Sequence, residues 1–197
     1  DREPFEVLYV GSFHRRKGVH ELVRAWPHVL AEVPQARLTF IGRIPDGNAG
    51  QEMIAKLLAD LSALQRDTVS FVGYIPHQDL PAWYSRAAVA VFPSHAEAFG
   101  LTCAEAMACG AAVVMTSRGS GPEVVEDGVS GLLADPSDIH ALASTVIRLL
   151  QTTPLRQTMG ECARQHVRER FDSQALIAQN LDFYAEVIRG YHGIRTR

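Results

Sequence analysis

Residues Pro93–Gly110 read PSHAEAFGLTCAEAMACG. The apolar run before them, Val89, Ala90, Val91 and Phe92, predicts a short strand that ends at Pro93. Phe99 and Gly100 lead into Leu101–Cys109, a run of helix formers that Gly110 stops. A strand, a polar turn and a glycine-entered helix make an anion site, because the first helical amides lack intrahelical partners and the helix dipole favours negative charge there. Two carboxylates bracket the site, Glu97 before the helix and Glu105 within it. With the helix beginning near Gly100, Glu105 lies about 8 Å along its axis at ~1.5 Å per residue. A phosphate at the helix mouth then has one carboxylate beside it and another farther along one elongated ligand. That arrangement suits a nucleotide joined to a sugar through a diphosphate.

Outward from this stretch, strands and helices alternate. Glu6–Gly11, Arg37–Gly42, Val69–Gly73, Val89–Phe92, Ala112–Thr116 and Leu132–Leu133 are the expected strands. Between the first two, Val19, Leu22, Val23, Trp26, Val29, Leu30 and Val33 recur at helical spacing, with Pro27 expected to kink the helix and Pro34 to stop it. One helix is expected through Met53–Leu64, a short one over His77–Arg86 and a helical turn at Pro122–Glu126. Asp138 is placed to N-cap a helix bearing Ile139, Leu142, Val146 and Leu149. Two further helices follow, about Leu155–Glu169 and Ser173–Arg189, and the tail from Tyr191 to Arg197 is expected to fray. This order predicts an α/β, Rossmann-like, three-layer α/β/α domain with a parallel sheet of about six strands. The whole of 1–197 is read as a single domain. The last helix, 173–190, carries two adjacent apolar stripes: Ile177, Leu181, Tyr184 and Ile188, beside Leu176, Phe183 and Val187. Packing into the core explains such a face, and so does docking on a domain that lies outside this sequence.

Composition narrows the function. Of 197 residues, 47% are hydrophobic and 21% charged, and the net charge of −3 gives no basis for a nucleic-acid partner. No apolar run approaches the ~20 residues that span a bilayer. Cys103, Cys109 and Cys162 are odd in number and form no CxxC, which reads as reduced thiols in a cytoplasmic protein. His14, His77 and His95 show no metal-ligand spacing, so no metal and no cofactor is expected. No GxxxxGK[ST], GxSxG or HExxH is present, and the GxG at Gly119–Gly121 is not completed to GxGxxG.

The loop Ser12–Gly18 falls at the carboxyl end of the first strand, the edge where open parallel sheets bind ligands. It carries Arg15, Arg16 and Lys17. Cations at a helix start oppose the helix dipole, which favours an anion beside them over a plain solvated face. A lysine here is placed to neutralise charge on a departing phosphate. Glu105 has the small or apolar neighbours Ala104, Ala106 and Met107, and a crowded carboxylate needs hydroxyl partners such as a ribose supplies.

Together these segments resemble the carboxy-terminal domain of the retaining GT-B glycosyltransferases of family 4, over about Val7 to Tyr184. The resemblance rests on VGSFHRRKG, LTFIG, VSFVGYIP, the PS..E.FGLT..EAMACG block with its E-x7-E pair Glu97 and Glu105, and EVVEDGVSGLLADPSD. It implies that this domain binds a nucleotide-sugar donor for metal-independent transfer to an acceptor hydroxyl, with retention. Lys17 and Glu97 become the catalytic pair, Lys17 on the diphosphate and Glu97 on the donor sugar. Gly11, Ser12 and Arg16 fall in the phosphate loop. The backbone of Phe99, Gly100 and Leu101 holds sugar and phosphate, Glu105 takes the ribose, and Arg43, Tyr74 and Ile75 line the base pocket. The family pattern has arginine where this chain has Ser12, so Arg15 or Arg16 is expected to substitute, or phosphate binding is weaker. The resemblance further implies a separate amino-terminal acceptor domain, with any peripheral membrane contact made through it, and little turnover by this fragment alone. The alternative is a non-catalytic nucleotide-binding or assembly module of the same fold, which Ser12 favours and the presence of Lys17, Glu97 and Glu105 opposes. A sugar epimerase of related architecture has no support in these residues.

Overall fold

A computed structural model describes residues 2–195, with side chains as far as Arg189. Six parallel strands form one sheet in the order β3-β2-β1-β4-β5-β6. They are β1 (Glu6–Val10), β2 (Arg37–Ile41), β3 (Val69–Gly73), β4 (Val89–Phe92), β5 (Ala112–Thr116) and β6 (Leu132–Ala134). Between them run α1 (Val19–Glu32), α2 (Asn48–Leu57), α3 (Ala63–Arg66), α4 (Leu80–Arg86), α5 (Leu101–Ala108) and α6 (Gly121–Val124). The chain ends with α7 (Ile139–Gln151), α8 (Thr153–Arg170) and α9 (Ser173–Arg195).

Alternate strand residues divide between two cores, as the period of two requires. Val7, Tyr9, Leu38, Phe40, Val89, Val91, Ala112 and Val114 face a layer built on α1 and α7, where Leu22, Trp26, Leu142 and Leu149 are fully buried. Leu8, Val10, Ile41, Ala90, Phe92, Val113 and Met115 face the other layer, with Tyr84 of α4 and Cys103, Ala106 and Met107 of α5. The expected three-layer α/β/α architecture is therefore present. The strand order reverses between β1 and β4, and the crevice at such a switch point is where doubly wound sheets bind ligands.

Two local expectations change. The helix expected as one piece over Met53–Leu64 is two: α2 starts earlier, at Asn48, and stops at Leu57, while α3 is separately nucleated. Ser62 accepts from the Gln65 amide and the Gln65 side chain accepts from the Ser62 amide, a capping box that starts a new helix. Leu64 is exposed. α1 runs through Pro27 without ending. The backbone of α9 continues to Arg195, into the tail expected to fray, and Thr196 and Arg197 lie outside the described residues. Asp138 caps α7 as read, accepting from the Ala141 amide at 2.9 Å. Cys103, Cys109 and Cys162 are all free thiols.

Candidate active site

The loop after β1 and the turn after β4 are joined at the switch point. The His95 amide donates to the Arg16 carbonyl at 2.8 Å. Gly18 allows the close approach: its φ is +72°, and a Cβ there would stand 1.8 Å from the Pro93 carbonyl oxygen. The loop therefore lies directly on the turn, and Lys17 reaches Glu97. The Lys17 ammonium donates to Glu97 Oε2 at 2.5 Å, with only 20% and 13% of the two side chains exposed. Ser94 Oγ donates to the same oxygen at 3.2 Å, and the Ala98 amide donates to Oε1 at 3.2 Å. Burial pushes the Glu97 carboxyl up, but Lys17, Ser94 and the Ala98 amide outweigh it and hold the group below the usual carboxylate value.

The helix mouth lies beside this pair. Gly100 enters α5 at φ +94°, with Met115 Cε filling the space a Cβ would take. Among the described residues, the amides of Phe99, Gly100, Leu101 and Thr102 donate to no protein group. Ser120, after β5, donates to the Phe99 carbonyl at 3.0 Å and so fixes the turn from its other side. A cavity of about 210 Å³ is enclosed here, lined by Gly11, Ser12, Lys17, Ser94, Glu97, Gly100 and Thr102 among others. Ser12 also lines a wider groove of about 1050 Å³, whose walls include Phe13, Arg43, Ile44, Pro45, Gly73 and Tyr74. Arg43 lies over the Tyr74 ring at 5.5 Å. A small charged chamber thus opens beside a larger groove with aromatic walls.

The structure gathers Gly11, Ser12, Lys17, Glu97 and Gly100 around the chamber, and Arg43 and Tyr74 around the groove. Ile75 is not on the groove wall; it packs against the α4–α5 core. Neither Arg15 nor Arg16 lines either space, and both are exposed, so Lys17 is the one basic side chain on the chamber among the described residues. Phe99 and Leu101 contribute backbone, their side chains being exposed. Glu105 lines neither space. It is held by Tyr84, whose hydroxyl donates to Oε2 at 3.3 Å, and by His77, whose Nε2 lies 3.0 Å from Oε1. The hydroxyl partner that its crowded position called for is thus supplied in part by the protein. Sequence reasoning did not reach Ser94, Thr102, Met115 or Ser120. Ser94 had a signal, the S-x-x-E spacing to Glu97; the others meet the site only through tertiary packing. No group of three or more His, Cys, Asp or Glu is placed to hold a metal among the described residues.

Comparison with known proteins agrees with this architecture. Residues 1–166 match the family described as glycosyl transferases group 1. The chain belongs to that family. It is 34% identical over 187 residues to glycogen synthase of Mycobacterium tuberculosis (strain ATCC 25618 / H37Rv), covering 95% of this chain and 44% of that protein. It is 32% identical over 177 residues to spore coat protein SA of Bacillus subtilis, covering 89% and 47%. Among solved structures, sucrose-phosphate synthase from Thermosynechococcus elongatus superposes with a TM-score of 0.81 at 35% identity, covering 94% of this chain and 46% of that one. Anabaena HepE in complex with UDP and glucose superposes at 0.79 with 26% identity, covering 92% and 48%. The chain spans less than half the length of each of these relatives.

Proposed function

We propose that this chain is the donor-binding half of a glycosyltransferase that moves a sugar from a nucleoside diphosphate to an acceptor hydroxyl with retention of configuration. The observation that carries the reading is the Lys17–Glu97 ion pair at a helix mouth with unpartnered amides. A diphosphate seated there takes the amides and the Lys17 ammonium, which stabilise the charge that grows as the glycosidic bond breaks. Lys17 then exchanges one anion for another, and Glu97 is released toward the sugar hydroxyls. The base lies in the groove of Arg43 and Tyr74, and Glu105 takes the ribose. Transfer needs no metal in this reading, because lysine and helix supply the positive charge.

The acceptor is bound by an amino-terminal domain outside this sequence, in line with the greater length of the relatives. Apolar residues of α9, among them Ile177, Leu181, Tyr184 and Ile188, are more than half exposed rather than packed in the core. That exposure supports docking of α9 on the same missing domain. Calorimetry with UDP-, GDP- and ADP-sugars tests the donor half: saturable binding of one of them is expected, and no binding at millimolar concentration contradicts it. In the longer protein, Glu97→Gln is expected to abolish transfer while nucleotide binding persists. A second reading, a non-catalytic module, draws on Ser12 and on the similarity to a spore coat protein. Full transfer activity retained by Glu97→Gln would contradict the assigned role of Glu97, and transfer by the 197-residue chain alone would contradict the need for a second domain.

A further inference from the structure

We propose that Tyr84 and His77 are positioning residues that hold the Glu105 carboxylate in the one orientation a ribose diol can use. The inference rests on the reading that Glu105 receives the ribose. A glutamate on a helix surface is free about three bonds, and a free carboxylate loses affinity each time it must be ordered by its ligand. Here it is ordered in advance. Tyr84 is 1% exposed, its ring fixed in the core layer that holds Leu80 and Met107, and its hydroxyl meets Oε2. Burial and the Glu105 charge raise the phenol's pKa, so it remains a donor. His77 begins the turn before α4 and meets Oε1 from the solvent side. Each carboxylate oxygen accepts two hydrogen bonds, so one acceptor site on each remains for a pair of adjacent hydroxyls.

The placement fits a ribose between phosphate and base. Thr102, three residues earlier on the same face of α5, lines the phosphate chamber. Tyr74, three residues before His77 in the loop after β3, lines the groove. Glu105 is thus one helical turn from a residue of the chamber and, through His77, tied to the loop that carries a residue of the groove, although it lines neither space.

The test compares whichever of UDP, GDP and ADP binds this chain most tightly with its 2′,3′-dideoxy counterpart, by calorimetry. The wild-type chain is expected to prefer the ribose form by about tenfold, the scale of hydrogen bonds to a charged group. Tyr84→Phe, which keeps the buried ring, and His77→Ala, at a side chain 79% exposed, are each expected to shrink that preference several-fold with dideoxy affinity unchanged. Equal losses for both ligands, or an unchanged preference in both variants, overturn the positioning role. A wild-type chain that binds both forms equally overturns the ribose role of Glu105. A chain that binds no nucleoside diphosphate overturns the donor-site reading itself.

Discussion

Glu97 is held by three donors, and its chemistry follows from which of them is removed. A carboxyl whose pKa is lower in the folded chain than in the unfolded one stabilises the fold above its unfolded value, and that contribution fades as pH falls through the folded value. Lys17→Met deletes the charge while keeping most of the side-chain volume. The Glu97 titration, followed by NMR of its side-chain carboxyl carbon, is then expected to move upward, and the stability that this group loses on acidification to shrink. An unmoved titration would show that Ser94 and the Ala98 amide alone set the carboxyl. At this scale the sequence was informative where a charge had to be explained by an anion, as at Lys17, and where two acids bracketed one helix start. Apart from Ser94, whose S-x-x-E spacing to Glu97 was a signal, it was silent on the neutral groups, because Thr102, Met115 and Ser120 meet their partners only once the strands are aligned.

Two segments distant in sequence meet because a glycine lets them. Gly18 lies at positive φ with the Pro93 carbonyl where its Cβ would be, so Gly18→Ala forces the loop away from the turn after β4. The cost expected in a denaturant titration is at least about 2 kcal/mol, from the left-handed backbone and the backbone clash together. Lys17 moves with the loop, so nucleotide affinity falls as well. Wild-type stability and affinity in this variant would mean that the approach is adaptable and the pairing incidental. The elements themselves were largely legible, since apolar runs marked all six strands and Asp138 announced its helix. The division of the 48–66 segment into two helices was not, because leucine spacing continues across the break while the capping box at Ser62 restarts the helix. Neighbouring residues in the loop after β3 face opposite ways, Tyr74 to the groove and Ile75 to the core, which no spacing in the sequence announces.

Across the whole molecule, the strand order fixes where chemistry is possible. With β1 and β4 adjacent at the reversal, the loops that follow them share one crevice, and the charged residues of both face each other there. No helix among the described residues is long and apolar enough to cross a membrane. Leu181 and Ile188 of α9 are each more than half exposed, so Leu181→Asp with Ile188→Asp is expected to leave the melting temperature of this chain unchanged, while the same pair impairs assembly or activity of the longer protein. A lowered melting temperature in this chain would show that α9 packs on it after all. The account turns on Lys17 meeting a diphosphate, and the direct measurement is calorimetric titration of the wild-type chain and Lys17→Ala with a nucleoside diphosphate and its monophosphate. The account predicts that the substitution weakens the diphosphate by about tenfold or more and leaves the monophosphate nearly unchanged. Equal affinity of the two proteins for the diphosphate would contradict it.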